Sequence, residues 1–290
     1  MSGKRKAPAI IRRHSILAAF GDTHAGSTVG LHPNCETPLD DGGAFTPSKV
    51  QLWNFDNWLD YWRRVNEAAE GQPVRILANG DLVDGDHHGT VQIVSRHAGI
   101  QGDILRACFE PVLDIVKIAS MVVVRGTASH VGQGSPSEES FARWLVSKKV
   151  KVIKDEDTGT LSWRHFKGEL DGVKIDATHH GRTGGRLWTA GGGVTNLAVE
   201  IMAEYAQRRE VAPDLAIRSH KHKTFDTYRM PGVRTLALPA WQLGTDWVKQ
   251  AVPESLADLG GSIIRCHAGK VLDIDTHLYN PTEPTRWRPM

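Results

Sequence analysis

The chain has 290 residues, of which 40% are hydrophobic and 23% are charged, a composition typical of a soluble globular protein with a sizeable core. The formal net charge of +2 excludes an overall basic field that would by itself attract nucleic acid or a membrane. No apolar run approaches the length of a membrane helix. Three scattered cysteines without a C-x-x-C pair predict neither a disulfide framework nor a thiolate zinc site, and favour a cytoplasmic protein.

Residues 1–14 are predicted to form a basic tail, and residues 15–290 a single domain. Apolar runs of strand length recur along the chain, and most are bounded by Gly, Asp or Pro. The predicted strands are 15–20, 74–79, 121–125, 173–178, 214–219, 234–240, 262–268 and 270–278. Amphipathic patterns predict helices at 48–70, 102–119, 136–149 and 195–209. Strands that alternate with helices predict an α/β layered domain.

Two segments in the first part of the chain invite a functional interpretation. The helix at 48–70 carries an aromatic stripe that includes Trp53, Trp58 and Trp62. Such a stripe could stack on nucleic-acid bases, but helical spacing favours a core face. The Gly/Pro-rich segment 26–48 is too long for a simple connection, and segments of this kind are usually functional or disordered.

Asp or His residues stand at the ends of five successive predicted strands, at Asp22 and His24, Asp81, Thr127 and His130, His179 and His180, and His220 and His222. Ligands of open α/β sheets bind at the carboxyl ends of the strands. Buried carboxylates and imidazoles that converge there need positive charge between them, and this set of O and N ligands suits Mn, Fe, Zn or Ni. Because one catalytic zinc uses only three protein ligands, the surplus indicates two ions that share a carboxylate.

In order and in strand placement, these motifs resemble those of the calcineurin-like metallophosphoesterases, which are D-x-H, G-D, G-N-H, H and G-H-x-H. Here they read Asp22-Thr23-His24, Gly80-Asp81, Gly126-Thr127 with His130, His179-His180-Gly181 and Ser219-His220-Lys221-His222. The resemblance implies a four-layer α-β-β-α sandwich, in which the strand-rich C-terminal third completes a second sheet. The forms "GDTHAGSTVGL" and "GTASHVG" are similar to those of phage- and prophage-encoded members.

The resemblance also implies a role for each residue at the first ion. Asp22, His24 and His222 would bind this ion, and Asp81 would bridge it to the second. The cofactors implied are therefore two divalent metal ions, with Mn favoured.

At the second ion, the sequence leaves alternatives open. The resemblance implies His220 and one of His179 and His180 as ligands, and the position before a glycine favours His180. The family's asparagine is absent. Either Thr127 or Ser129 would take its place, and a hydroxyl is a weaker ligand than an amide carbonyl.

The implied activity is hydrolysis of a phosphoester by a water that the two ions activate. His130 would donate a hydrogen bond to a phosphoryl oxygen or protonate the leaving group, and would act together with Asp81. Arg182 and Arg186, in a Gly-rich segment after the fourth motif, are expected to bind the phosphate. A phosphodiester is favoured, with nucleic acid or a nucleotide as the substrate.

Three other functions stay open. The first is a phosphomonoesterase of the same fold. The second is a non-catalytic binding protein that retains metal, for which the missing asparagine is the support. The third is another metallohydrolase class with an H-x-H motif, such as the amidohydrolases. Those enzymes place the motif early in the chain, whereas here it comes last.

Overall fold

A computed structural model describes residues 14–281, except 88, 182–189, 229–231 and 252–255. Its strands are β1 Ser15–Phe20, β2 Thr37–Pro38, β3 Ala44–Phe45, β4 Val74–Asn79, β5 Ile118–Val124, β6 Ser162–Trp163, β7 Phe166–Leu170, β8 Val173–Ala177, β9 Leu215–Arg218, β10 Phe225–Asp226, β11 Arg234–Ala237, β12 Gly260–His267 and β13 Lys270–Leu278. Its helices are α1 Lys49–Ala69, α2 Ala98–Ile115, α3 Ala128–Val131, α4 Pro136–Ser147, α5 Ala190–Arg208 and α6 Asp246–Ala251.

The strands form two main sheets and a small hairpin. The first sheet has the order β13-β12-β1-β4-β5-β6, and its strands β1, β4, β5 and β6 run parallel. The second sheet has the order β10-β11-β9-β8-β7, with a parallel centre of β8, β9 and β11. Strands β2 and β3 pair within the long segment 26–48.

The side chains of β1 show how the layers are held together. Ile16, Ala18 and Phe20 face the helices α1, α2 and α4, whereas Leu17 and Ala19 face the second sheet. This alternation follows from the two-residue period of a strand. On the far side of the second sheet, a smaller apolar cluster packs α5 against β9. The layers are therefore α-β-β-α, and the predicted fold class is confirmed.

Helix α1 uses its aromatic stripe in the core. Ser48 and Gln51 form a capping box at its beginning, and Trp58 and Trp62 are buried against Phe20 of β1. These rings are therefore not available for stacking on nucleic acid. No described helix is both long and apolar enough to cross a membrane.

The expectation that the C-terminal strands complete the second sheet is confirmed for β10 and β11 and is wrong for β12 and β13. Strand β12 pairs antiparallel with β1, and β13 pairs with β12, so both extend the first sheet rather than the second. Helix α2 begins at Ala98, four residues before its predicted start. The sequence also did not predict β7, an edge strand whose exposed positions are charged.

Candidate metal centre

The strand ends of both sheets meet at one edge of the sandwich. Asp22 follows β1 and Asp81 follows β4 in the first sheet, while His179 follows β8 and His220 follows β9 in the second. Asn79, the last residue of β4, donates hydrogen bonds from its amide to the Ser219 hydroxyl at 2.7 Å and to the Thr178 carbonyl at 3.1 Å. The two sheets are thereby fastened together directly beneath the polar residues.

Five candidate ligands have left-handed backbone conformations, namely Asp22 (φ 51°), His24 (φ 43°), Asp81 (φ 49°), His220 (φ 78°) and His222 (φ 51°). Such conformations are uncommon outside glycine and cost about 1–3 kcal/mol each. They persist only where the surrounding structure imposes them, and they cluster at functional sites. The backbone is therefore strained at five of the residues that the sequence singles out.

Two glycines allow the strand ends to approach closely. A Cβ atom at Gly126 would lie 2.1 Å from Asp81 Oδ1, so only glycine fits there. Gly80 has a φ of +83°, and a Cβ atom on it would lie 2.7 Å from His179 Nδ1. The G-D and G-T pairs therefore have a steric reason that is independent of any resemblance.

The first group of ligands consists of Asp22, His24 and His222. His24 Nε2 lies 3.2 Å from His222 Nε2, and Asp22 Oδ1 lies 3.8 Å and 3.3 Å from these two atoms respectively. A triangle with these sides has its centre about 2.0 Å from every corner, which is the distance at which Zn²⁺ and similar ions bind such atoms.

A buried oxygen of this group has no other role. Asp22 is fully buried, and its Oδ1 accepts no hydrogen bond of acceptable geometry from any described residue. His24 Nε2 and His222 Nε2 lie near this oxygen, but neither forms a hydrogen bond of acceptable geometry with it. A buried carboxylate oxygen without a partner is costly, and a metal ion would satisfy it. The donor set therefore fits a divalent cation.

The second group consists of Asp81, His179 and His220. His179 Nε2 lies 2.9 Å from Asp81 Oδ2, and the His179 ring is fixed because Nδ1 donates to the Asn79 carbonyl at 2.7 Å. Asp81 also belongs to a group with His24 and His130. Because Asp81 belongs to the second group and also to one that contains His24 of the first group, it has the position expected of a bridging ligand.

The two histidines of the fourth motif lie in different environments. His179 is buried beside Asp81, whereas His180 is exposed and contacts the ring of His220 at a centroid distance of 4.4 Å. The sequence favoured His180, but the geometry favours His179. The alternation of β8 already carries this signal, because residue 179 continues the inward-facing positions Val173, Ile175 and Ala177.

Thr127 occupies the position of the missing asparagine. Its backbone N–H donates to Asp81 Oδ1 at 2.5 Å, and its hydroxyl donates to Asp81 Oδ2 at 2.9 Å. Ser129 is exposed. Thr127 is the N-cap of α3, a single helical turn that brings His130 back over Thr127. Compared with the G-N-H motif, two additional residues precede His130. They lie in the helical turn of α3, which returns His130 to the vicinity of Thr127.

Asp84 orients the histidines around it. Its Oδ1 lies 3.1 Å from His24 Nδ1 and accepts a hydrogen bond from the Gln242 amide at 3.1 Å. Its carbonyl accepts a hydrogen bond from His130 Nδ1 at 2.7 Å, so His130 Nε2 is left to face the site. A metal-binding histidine is commonly held by such a carboxylate. A further group joins Asp84, His87 and His130.

The electrostatic field of the site favours positive charge. Burial would lower the pKa of His24 and His179, but Asp22 and Asp84 raise the pKa of His24 to about 10, and Asp81 and Asp22 raise that of His179 to about 9. Burial would raise the pKa of Asp22 and Asp81, but the charge of His179 and the neighbouring histidines together outweigh it and hold both pKa values below the usual range. Bound cations would satisfy the same field.

Sequence reasoning missed two buried carboxyl groups. Asp84 was not among the predicted site residues, although it stands only three residues after Asp81. Glu138 in α4 is fully buried, with Oε1 3.5 Å from the Leu82 N–H. Burial, reinforced by the charge of Asp81, raises the pKa of Glu138 to about 8. Arg182 and Arg186, the predicted phosphate-binding residues, lie outside the described residues.

No protein-family model and no curated protein matches the chain. Several solved structures align with it at low scores. A dimetal phosphatase from Danio rerio aligns over 92% of this chain and 99% of its own, with 9% identity and a TM-score of 0.42. Vacuolar Protein Sorting 29 from Cryptosporidium parvum aligns over 92% of this chain and 99% of its own, with 11% identity and a TM-score of 0.42. Yfce, a phosphoesterase from E. coli, aligns over 90% and 98%, with 8% identity and a TM-score of 0.40. Because these TM-scores are below 0.5, the likenesses carry no argument about activity.

Proposed function

We propose that this protein is a dinuclear metal-dependent hydrolase of phosphodiesters, with a nucleotide or a nucleic acid as its substrate. The observation that carries the proposal is the pair of Asp/His groups that share Asp81, next to the unsatisfied Oδ1 atom of Asp22. A buried set of O and N ligands around two adjacent points is typical of metal centres that cleave phosphoesters. The resemblance to calcineurin-like metallophosphoesterases supports the same function.

Each ion has its own ligands under this proposal. Asp22, His24 and His222 hold the first ion, Asp81 bridges, and His179 and His220 hold the second. Thr127 supports the bridge through its two hydrogen bonds to Asp81. When bound, the ions acidify a water and neutralise charge on the phosphoryl oxygens. The imidazole and carboxylate set suits Mn²⁺, Fe²⁺, Zn²⁺ or Ni²⁺, and Mn²⁺ is the ion chosen for the tests.

The protein's own groups position the reaction. Asp84 fixes the tautomer of His24, so that Nε2 carries the lone pair toward the first ion. His130, with Nδ1 held by the Asp84 carbonyl, presents Nε2 to a phosphoryl oxygen or to the leaving oxygen. In the overall reaction, a water oxygen bonds to phosphorus, the ester P–O bond breaks, and the leaving oxygen departs with a proton.

A diester is favoured over a monoester by charge. Asp22, Asp81 and Asp84 bring three buried negative charges to the site, which limits the net positive charge left for a substrate. A diester carries one negative charge, whereas a monoester carries about two near neutral pH. Under this proposal we also expect the protein to be of the phage or prophage type and to act in the cytoplasm.

The test is hydrolysis of bis-p-nitrophenyl phosphate by metal-stripped protein that is resupplied with Mn²⁺. We expect turnover that depends on Mn²⁺ and is lost in Asp81→Asn. Asp273→Asn is the matched control, because Asp273 on β13 is half exposed and forms an ion pair with Arg265 on β12. Hydrolysis of p-nitrophenyl phosphate, the monoester analogue, without hydrolysis of the diester would indicate that the protein is a phosphomonoesterase. Bound metal without turnover on either ester would select the non-catalytic binding protein.

A further inference from the structure

The carboxylate oxygens of the two ligand groups are not equally available to a cation. In the first group, Asp22 Oδ1 accepts no hydrogen bond from the described residues. In the second group, both oxygens of Asp81 already accept hydrogen bonds from Thr127, Oδ1 at 2.5 Å from the backbone N–H and Oδ2 at 2.9 Å from the hydroxyl. A cation that binds Asp81 Oδ2 in the second group therefore competes with the Thr127 hydroxyl proton, whereas a cation at Asp22 Oδ1 displaces no donor.

The hydroxyl of Thr127 is directed into the site rather than onto the helix that it precedes. Thr127 is the N-cap of α3, a position where a threonine hydroxyl commonly accepts a hydrogen bond from the first turn of the helix. It forms no such bond here and donates to Asp81 instead. The same oxygen lies 3.4 Å from His220 Nδ1, so it lies beside two members of the second group. The hydroxyl oxygen thus has the position of a ligand atom.

The second group also offers a cation less negative charge than the first. Its members are Asp81, His179 and His220, and Asp81 would be shared with the first ion. The first group has a carboxylate of its own, Asp22, in addition to two histidines. The hydroxyl of Thr127 is neutral, and the oxygen ligands that suit Mn²⁺ are carboxylate, carbonyl and water. The second ion would therefore be held more weakly than the first.

We propose that the two ions bind with unequal affinity, the first tightly and the second weakly, and that Thr127 is the residue that sets the difference. This inference rests on the proposed function and deepens it, because hydrolysis requires both ions. The protein with a single ion would be inactive. Hydrolysis would begin only at the free Mn²⁺ concentration that fills the second group, so metal supply would regulate the activity through this group.

The test is a titration of metal-stripped protein with Mn²⁺, followed by calorimetry and by electron paramagnetic resonance. We expect the first ion to give the spectrum of an isolated ion. A magnetically coupled spectrum should appear only at a free Mn²⁺ concentration at least about tenfold higher, which is the smallest effect usual for a change beside a metal ligand. Hydrolysis of bis-p-nitrophenyl phosphate should reach half of its maximum together with the coupled spectrum.

Variants of Thr127 test its role without relying on activity. Thr127→Asn supplies an amide carbonyl at an N-cap, where asparagine is also favourable, so the variant is expected to fold. We expect its second ion to bind about tenfold or more tightly than in the unsubstituted protein, and its first ion to bind as before. Thr127→Val keeps the shape of the side chain but lacks the hydroxyl, and should weaken the second ion further. The ratio of the two affinities is measured in one sample, so a fraction of unfolded protein does not change it.

Ser129→Asn is the matched control, because it makes the same hydroxyl-to-amide change at an exposed residue two positions further on. It should leave both affinities unchanged. Equal affinities in the unsubstituted protein, no gain in Thr127→Asn, or the same gain in Ser129→Asn would each overturn the inference, and hydrolysis that persists would leave the proposed function intact. A single bound ion at every Mn²⁺ concentration, or no hydrolysis of the diester or the monoester with both ions bound, would instead overturn the proposed function.

Discussion

The aromatic cluster under α1 and the metal centre are both reached from β1, yet they are built on opposite principles. Phe20, Trp58 and Trp62 pack edge to face at centroid distances of 5.1–5.8 Å, without strain or charge. Two residues after Phe20, Asp22 is buried with a left-handed backbone and an unsatisfied oxygen. The contrast indicates that the cluster stabilises the fold, whereas the candidate metal centre carries backbone strain and buried charge.

The two regions are linked by one residue, Trp241. Its ring packs on Trp58 at a centroid distance of 5.1 Å, and its backbone N–H donates to the Asp22 carbonyl at 2.9 Å. Its carbonyl accepts a hydrogen bond from the Asn54 amide of α1 at 2.7 Å. A substitution in either region can therefore be examined for its effect on the other.

The largest effect is expected for Asp22→Asn. The substitution keeps the size of the side chain but removes the charge that binds the first ion, and we expect kcat/KM on bis-p-nitrophenyl phosphate to fall by at least about 10³-fold. Even outer partners of metal ligands are worth about 10–100-fold, so a ligand is worth more. Near-ultraviolet circular dichroism, which reports on the aromatic cluster, should not change. Loss of that signal would show that the two regions are not separable.

Trp62→Ala tests the aromatic cluster under α1 instead of the candidate metal centre. Trp62 is fully buried, and its truncation should lower the free energy of unfolding by about 3–5 kcal/mol in urea denaturation. The number of Mn²⁺ ions bound by the folded protein should stay the same. Trp247→Ala is the control, because Trp247 is 72% exposed and its removal should change stability little. Equal losses in both variants would contradict the assignment of the core.

Asp84→Asn tests the positioning of His24. An amide no longer provides the charge that orients the His24 ring, so we expect Mn²⁺ affinity to fall by about 10–100-fold. Asp86→Asn, two residues away and half exposed, should leave the affinity unchanged. Isothermal titration with Mn²⁺ measures both variants. An unchanged affinity in Asp84→Asn would mean that Gln242 and the ring packing suffice to hold His24.

An effect of pH is expected from Glu138, which is buried near Asp81 without being a candidate ligand. Its folded pKa of about 8 lies above the ordinary carboxyl value of 4.5, so the folded state holds a proton that the unfolded state releases. Stability should therefore fall as the pH rises from about 4.5 to 8, by up to about 1.4 kcal/mol per pH unit. Glu138→Gln should remove this contribution to the slope in metal-free protein, whereas Glu110→Gln on the surface should leave the slope unchanged. An unchanged slope would contradict the raised pKa.

The sequence predicted the elements whose cause is local. The bounds of β1, β4 and β13 match the predicted segments because apolar runs there end at turn residues. Strand β7 was not predicted because, as an edge strand, it exposes charged residues at alternate positions. The sheet to which β12 belongs depends on its pairing with β1, more than 240 positions earlier in the chain, and no local pattern encodes such a partner.

The residues of the candidate site also differ in whether the local sequence could predict them. The ligand types at the ends of β1, β4 and β9 could be predicted, because residues at carboxyl ends of parallel strands are brought together by any such fold. The choice between His179 and His180 required the inward face of β8. Asp84 and Glu138 could not be predicted, because their roles depend on contacts with His24 and Leu82 that only the tertiary structure creates.

The most direct test of the dinuclear centre is to count its ions. Metal-stripped protein would be equilibrated with Mn²⁺, the bound ions counted by dialysis, and the spectrum recorded by electron paramagnetic resonance. Two ions bridged by Asp81 should give two Mn²⁺ per chain and a magnetically coupled spectrum, which Asp81→Asn should convert to that of isolated ions. A single ion per chain, or two ions without coupling, would contradict a shared centre.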